Sequence, residues 1–368
     1  VTLVDREHPT SSPFFAAEAL RTRRAHLAAL HELALQDVHE VRLLLRGDSV
    51  IDWYRLALAS ADDVRRLLAL NSLDVDDPRD VARLQSLRDQ AARYITDVLH
   101  LKLDEDIVAA PPLELPLLAS DRSRAHGSRQ RSACTLLKVM HIIYHLDARE
   151  LLPALSIPDA ELFALVEESA LRMFDGLRES GVPVREYAWS RKTRESQITK
   201  LLVKRETSAA RVFDRLRFRV IVERPDDLIP TLHVMLHKCI PFNYVVPGQT
   251  VNTLLPLQPL DERVTAAGIE LSHAPGPSAD ALNEFSAAEY RVLNFVADLP
   301  VRIDGIVPEA DRGLLARRGR VVFVLAEFQI IDRQTAETNE TGESSHDQYK
   351  RRQYQRVRER LLREPREG

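Results

Sequence analysis

The sequence predicts an α+β protein: an all-helical N-terminal region, then a mixed β-sheet flanked by helices. Three observations predict it. Apolar residues recur at helical spacing as far as Gly181. Beyond Gly181 the texture changes to short alternating or continuous apolar runs, at 184–189, 216–222, 244–246, 290–303 and 320–331. Helical patterns at 195–205 and 226–237 separate some of these runs, as expected for a sheet with helices packed on it.

The helical region is read first. Leu20, Leu27, Leu30, Leu33 and Leu35 set a helical rhythm over 14–46, which Gly47, Asp48 and Ser49 break. Ser60 followed three residues later by Asp63 is a capping box, in which each side chain satisfies the other residue's exposed N–H. It opens a helix over 64–70. Pro78 stands in a first helical turn, where a missing N–H costs nothing, ahead of a helix over 81–101. Pro111, Pro112 and Pro116 make 107–116 a linker, and 121–132 reads as a polar, basic loop. Helical patterns resume at 134–152 and at 158–179, the latter capped by Ser156 and stopped by Gly181. The stretch 247–283 is weakly patterned and reads as a long loop, and 346–363 is a charged helix. The expected organisation is a helical domain over 1–105, a linker or loop over 106–132, a helical connector over 133–181, and a sheet-bearing domain over 182–368.

Bulk properties narrow the function classes. The chain has 368 residues, 45% of them apolar, enough for two or three cored units. A net charge of -4 gives no global attraction to nucleic acid. Two cysteines, Cys134 and Cys239, lie far apart, so neither a disulfide framework nor a cysteine zinc site is expected. No apolar run approaches the ~18 residues of a membrane span. The first thirteen residues lack the cationic start and apolar core of a signal peptide. A cytoplasmic protein is expected.

The chemistry concentrates in the sheet domain. Three of the seven lysines fall within thirteen residues, and Lys192, Ser196, Lys200 and Lys204 are each four apart. On a helix they share one stripe, while Ile198, Leu201 and Leu202 take another face suited to packing on a sheet. Ammonium groups and a hydroxyl near a helix N-terminus suit a polyphosphate; a solvated basic face is the plainer reading. In the run 216–222, Leu216, Phe218, Val220 and Val222 share one strand face, and Arg217 and Arg219 share the other with Arg215, where they need anionic partners. Asp214 has the parity of the apolar face and serves a metal only at the strand mouth. In the run 320–331, Val322, Val324, Ala326, Phe328 and Ile330 form an apolar face, with Glu327 and Gln329 opposite. A carboxylate so placed is costly unless paired or bound to metal. A metal-facing acid and a salt bridge to one of the arginines are both open. Tyr290 and Asn294 share a strand face, suited to nucleobase stacking or to ordinary half-buried packing.

In chain order these elements read Lys-x-x-x-Ser-x-x-x-Lys, Asp-x-x-x-x-Arg-Val, Tyr-Arg-x-Leu and Glu-x-Gln-Ile. That order resembles the synthetase domain of RelA/SpoT-type alarmone synthetases, over about 185–350. The resemblance implies a nucleotidyltransferase-like fold that binds ATP with Mg2+. It implies that Lys192, Ser196 and Lys200, with Arg191, Lys204 and Arg219, contact the ATP phosphates. Asp214 and Glu327 would be the metal-holding and catalytic acids. Tyr290, Asn294, Gln329 and His346 would face the acceptor, a guanine nucleotide. Departures fall mostly on the acceptor side: Asn294 replaces the family's His, Ile331 and Asp332 follow Gln329-Ile330, and 247–283 replaces a shorter basic loop. Two alternatives therefore stand beside pyrophosphoryl transfer to a guanine nucleotide. One is the same donor chemistry on a tRNA acceptor, with the basic stretch 122–131 touching RNA. The other is a degenerate domain that binds nucleotide and signals through the N-terminal helices. Homo-oligomerisation is left open. His141 and His145 share a helix face, but no adjacent His-Asp pair supports a metal hydrolase, and packed core histidines are expected.

Overall fold

The computed structural model describes residues 33, 35–46, 53, 58, 60–121, 127–203, 216–267, 290–341 and 346–362. Its helices and strands are, in order, α1 (Leu35–Arg46), α2 (Ala61–Leu70), α3 (Pro78–Arg93), α4 (Glu105–Ala109), α5 (Leu115–Ser120), α6 (Ser128–Leu151), α7 (Asp159–Glu179), β1 (Val184–Arg191), α8 (Arg194–Val203), β2 (Leu216–Val222), α9 (Leu228–Lys238), β3 (Val251–Asn252), α10 (Gln258–Ala266), β4 (Leu293–Arg302), α11 (Arg312–Arg318), β5 (Val321–Asp332), α12 (Arg333–Asn339) and α13 (His346–Leu361). The strands form one sheet in the order β1-β2-β5-β4-β3. Only β2 and β5 run parallel; the other pairs are antiparallel. The protein is thus α+β, a mixed sheet flanked by helices, preceded by helices. Among the described residues no helix is long and apolar enough to cross a membrane.

Strand alternation splits the sheet into two unlike faces. On one, Phe218, Phe295 and Phe328 stack with ring centroids 5.4 Å apart across three strands. This face forms the main core with Val166 and Phe174 of α7, Leu232 and Met235 of α9, and Val38, Val41, Leu44 and Leu45 of α1. The other face is covered only in part. Val321 and Phe323, at the start of β5, join a second core with Leu84 and Leu87 of α3 and Leu136, Met140 and Tyr144 of α6. At its far end Ile221, Val292, Ile331 and Ala336 make a small third cluster. Leu325, Glu327 and Gln329 lie between the two coverings.

Helix α7 delivers the chain to the sheet through a Schellman stop. Gly181, at φ +79°, bonds its N–H to Arg178 O, and Val182 N–H reaches Leu177 O at 3.1 Å. The capping box is present: Asp63 N–H donates to Ser60 Oγ, and Ser60 N–H to the Asp63 carboxylate.

Several expectations are corrected. The proline-rich stretch 107–116 is folded, because Ile107 and Leu115 are buried against α6. In place of a strand at 244–246, Tyr244 ends a 3-10 turn, Phe242–Tyr244, and Val245 makes a single bridge to Ala297; Pro241 and Pro247, with no N–H, flank this stretch. The stretch 247–283 holds β3 and α10, whose Leu260 and Val264 are buried in the main core; residues 268–289 lie outside the described set. Ser156 does not cap α7: its N–H donates to Asp311 Oδ2 instead. The strand expected from Tyr290 begins at Leu293, since Val292 N–H turns to Thr253 Oγ1. The helix expected over 81–101 gives way after Arg93 to a π-helical turn, Tyr94–Val98.

Candidate active site

The pairing of three strands builds two polar rows on the half-covered face. Arg217, Glu327 and Val296 stand side by side on β2, β5 and β4; Arg219, Gln329 and Asn294 form the next row. Glu327 is only 5% exposed. Its Oε2 accepts from Arg217 Nε at 2.8 Å and its Oε1 from Asn294 Nδ2 at 2.5 Å. Pairing with one cation and one amide is what makes this buried charge tolerable. The Asn294 Oδ1 beside it is buried without a hydrogen-bond partner among the described residues. Arg219 reaches Glu340 Oε1 from both terminal nitrogens at 3.4 Å.

Tyr290 is half-buried just ahead of β4, within electrostatic reach of Glu327, Arg217 and Arg219. Burial raises its phenol above the ordinary range, and Glu327 adds to the rise against the pull of the two arginines. Asn339 fixes this segment from α12. Its side chain accepts from Arg291 N–H at 3.1 Å and donates to Arg291 O at 2.7 Å. Arg217 and Asn339 belong to the assembly although no motif assigned them. Strand parity puts Arg217 among the arginines open to pairing with Glu327; nothing local marks Asn339.

The structure thus gathers Glu327, Gln329, Asn294, Arg219 and Tyr290. It does not bring Arg191 to them. Arg191 pairs with Leu216 in register, so it has the parity of the core face, and its guanidinium is held by Glu167 of α7 at 2.6 and 2.9 Å, over the Phe163 ring. Lys192 and Ser196 lie at the start of α8, which Thr193 caps by accepting from Ser196 N–H at 3.3 Å. Ile198 is half exposed, not packed on the sheet, and α8 packs against α13. Lys204 and Asp214 lie outside the described residues, as do the side chains of Lys200 and His346.

Glu327 and Asn294 carry hard oxygen donors on neighbouring strands, the kind an oxygen-seeking divalent ion takes, but Arg217 and the Asn294 Nδ2 already occupy both Glu327 oxygens, and the Asn294 Oδ1 is not the atom turned to Glu327. His141 and His145 are half-buried rather than core histidines. Both rings lie against Tyr244, His145 Nε2 is 2.8 Å from Asp298 Oδ2, and Asn243 Nδ2 donates to His141 Nδ1.

No protein-family model matches the chain, and no curated protein matches it. Among solved structures it is similar to small alarmone synthetase 1 from Bacillus subtilis, at 11% identity and a TM-score of 0.27 over 55% of this chain and 92% of that one. The same enzyme bound to its product pppGpp matches at 13% identity and 0.28, over 60% and 91%. A GTP pyrophosphokinase family protein from Streptococcus pneumoniae matches at 14% and 0.28, over 55% and 88%. Likeness at this level leaves the chemistry to be argued from the chain's own residues.

Proposed function

We propose that the chain transfers the β,γ-pyrophosphoryl group of ATP to the 3′-hydroxyl of a guanine nucleotide. The observation that carries this reading is Glu327, a buried carboxylate set among Arg217, Arg219, Asn294 and Tyr290 on the one sheet face left partly uncovered. The order of motifs along the chain supports it. Glu327 and Asp214 would hold Mg2+, which screens the triphosphate's charge when bound. Lys192, Ser196 and Lys200, leading from β1 into α8, face the phosphates, and Arg217 and Arg219 supply cations at the sheet. Tyr290 stacks on the acceptor base, with Asn294, Gln329 and His346 on the acceptor side. In the reaction the 3′-oxygen bonds to the β-phosphorus, the bond to the α-phosphate oxygen breaks, and AMP leaves. Glu327 aligns the hydroxyl or takes its proton, which otherwise leaves to water. Catalysis is positioning and electrostatics.

A second reading has its own observation. Both Glu327 oxygens are engaged, by Arg217 and Asn294, which favours a domain that binds nucleotide without transferring anything. One assay separates the readings. The protein is incubated with γ-labelled ATP, Mg2+ and, in turn, GTP, GDP, ATP or tRNA, and the products are resolved. Label in a guanosine polyphosphate is expected. Label in tRNA moves the acceptor to RNA. ATP binding without transfer establishes the second reading. Glu327→Gln should abolish transfer while keeping ATP binding; full activity in that variant removes Glu327 from its role.

A further inference from the structure

Away from this face, two helices meet through a group of side chains that the proposed reaction does not use. On α9, His233 and His237 are one turn apart, off the face that buries Leu228, Leu232 and Met235. On α1, Asp37 and Glu40 are likewise one turn apart, beside the buried Val38 and Val41. The helices pack so that these pairs face each other. Asp37 Oδ1 is 2.9 Å from His237 Nε2, and Asp37 Oδ2 is 3.8 Å from His233 Nδ1. Glu40 Oε2 is 3.9 Å from His237 Nε2. One ligand atom from each of Asp37, His233 and His237 lies within 4.8 Å of the others.

An ordinary ion pair accounts for only half of this arrangement. It satisfies His237 and Asp37. It leaves His233 Nδ1 buried, aimed at a carboxylate oxygen and without a hydrogen-bond partner among the described residues. A buried imidazole nitrogen with nothing to bond is costly, and the two rings stand only 4.3 Å apart. A cation between them resolves both problems, because neutral imidazoles turn their lone pairs to it. Two carboxylates, Asp37 and Glu40, face the histidine pair, and Arg66, which also acts on His237, is itself paired to Asp63.

We propose that His233, His237 and Asp37, with Glu40 beside them, bind a divalent transition-metal ion of the Zn2+ class and clamp α1 to α9. Two imidazoles and a carboxylate are a Zn2+ donor set; Mg2+ and Ca2+ prefer oxygen alone. Zinc bonds of about 2.0–2.1 Å place tetrahedral ligand atoms about 3.3 Å apart, so the 2.9 Å Asp37–His237 contact opens slightly and the 3.8 Å Asp37–His233 contact closes on binding. Glu40 or a water takes the remaining position. The ion would fix α1 to the helical layer over the main core.

The test uses the full chain stripped with a chelator and titrated with Zn2+ and with Co2+. One equivalent is expected to bind, to raise the melting temperature and, for Co2+, to give visible ligand-field bands. His233→Gln and Asp37→Asn should each weaken Zn2+ binding by about tenfold or more, at least the effect of losing an outer-shell partner. No saturable binding, or wild-type affinity in both variants, overturns the site. Should a variant not fold, the wild-type chain suffices. Zn2+ should protect His233 and His237 from diethyl pyrocarbonate, read by mass spectrometry, and unchanged labelling overturns the site equally.

Discussion

Glu327 and His141 are both ionisable side chains largely withdrawn from water, and each is tolerated for a different reason. Glu327 keeps its place through Arg217 and Asn294, so its cost is met by partners. Among the described residues no salt bridge holds His141: Asn243 Nδ2 donates to its Nδ1, and burial, reinforced by His145, pushes its pKa down to about 4. Between about pH 4 and the ordinary histidine value near 6.5, the unfolded chain therefore takes up a proton that the folded chain refuses. The stability tied to this group is fully present above that ordinary value and is lost as pH falls toward 4, by at most about 3 kcal/mol. Urea denaturation at pH 7 and pH 5 should show a smaller loss on acidification for His141→Gln than for the wild-type chain. Equal losses would mean that another group carries the acid sensitivity. At this scale the sequence was informative about Glu327, whose parity alone made it anomalous. It was silent about which of the open readings, pair or metal ligand, the neighbours favour, because Arg217 is 110 residues away along the chain.

Among the elements, those with a local chemical signature were legible and those decided by packing were not. The capping box at Ser60, the proline at the start of α3 and the glycine stop of α7 all stand where local rules put them. So does β2, whose bounds coincide with its alternating run. Gly181 holds a left-handed conformation that a Cβ strains, so Gly181→Ala should cost about 1–2 kcal/mol. A urea midpoint unchanged within error would mean the α7–β1 turn relaxes freely. In contrast α4, α5, β3 and α10 were hidden. Each is short, and α5 and α10 carry prolines that read as breakers, yet α4, α5 and α10 are held by apolar side chains docking on distant helices and β3 by pairing with β4. The metal-spaced pair His233 and His237 was present in the sequence, one turn apart. Its carboxylate partners come from α1, nearly two hundred residues earlier, so no local pattern joined them.

Across the whole molecule the N-terminal helices are tied to the sheet by charge as well as by apolar contact. Arg320, at the mouth of β5, donates to Asp80 at 2.6 Å, Asp77 at 2.9 Å and Asp304 at 3.1 Å. Arg302 of β4 binds the same Asp77 and Asp80. Both aspartates sit at the N-terminus of α3, where a carboxylate is also favoured by the helix dipole. Arg320→Met should cost about 3 kcal/mol, since it takes one of two arginines from the buried Asp80 and leaves it Arg302 and the Asp74 N–H. Hydrogen exchange should then quicken in α3 ahead of the sheet core. If α3 keeps wild-type protection, the network does not hold it. Helix α1 also buries Val41 and Leu45 in the sheet's own core, so the helices that begin the described chain share their packing with the strands near its end.

By itself the sequence determined where the chain changes from helical to strand texture, how its helices are capped and stopped, and which strand faces are apolar, since those depend on neighbours a few residues apart. Only the tertiary structure decided that Glu327 meets Arg217 and Asn294, that Arg191 turns to Glu167 on the opposite face, and that Asp37 meets two histidines. Those meetings depend on strand order and helix docking, which burial of the whole apolar surface selects and no local pattern encodes.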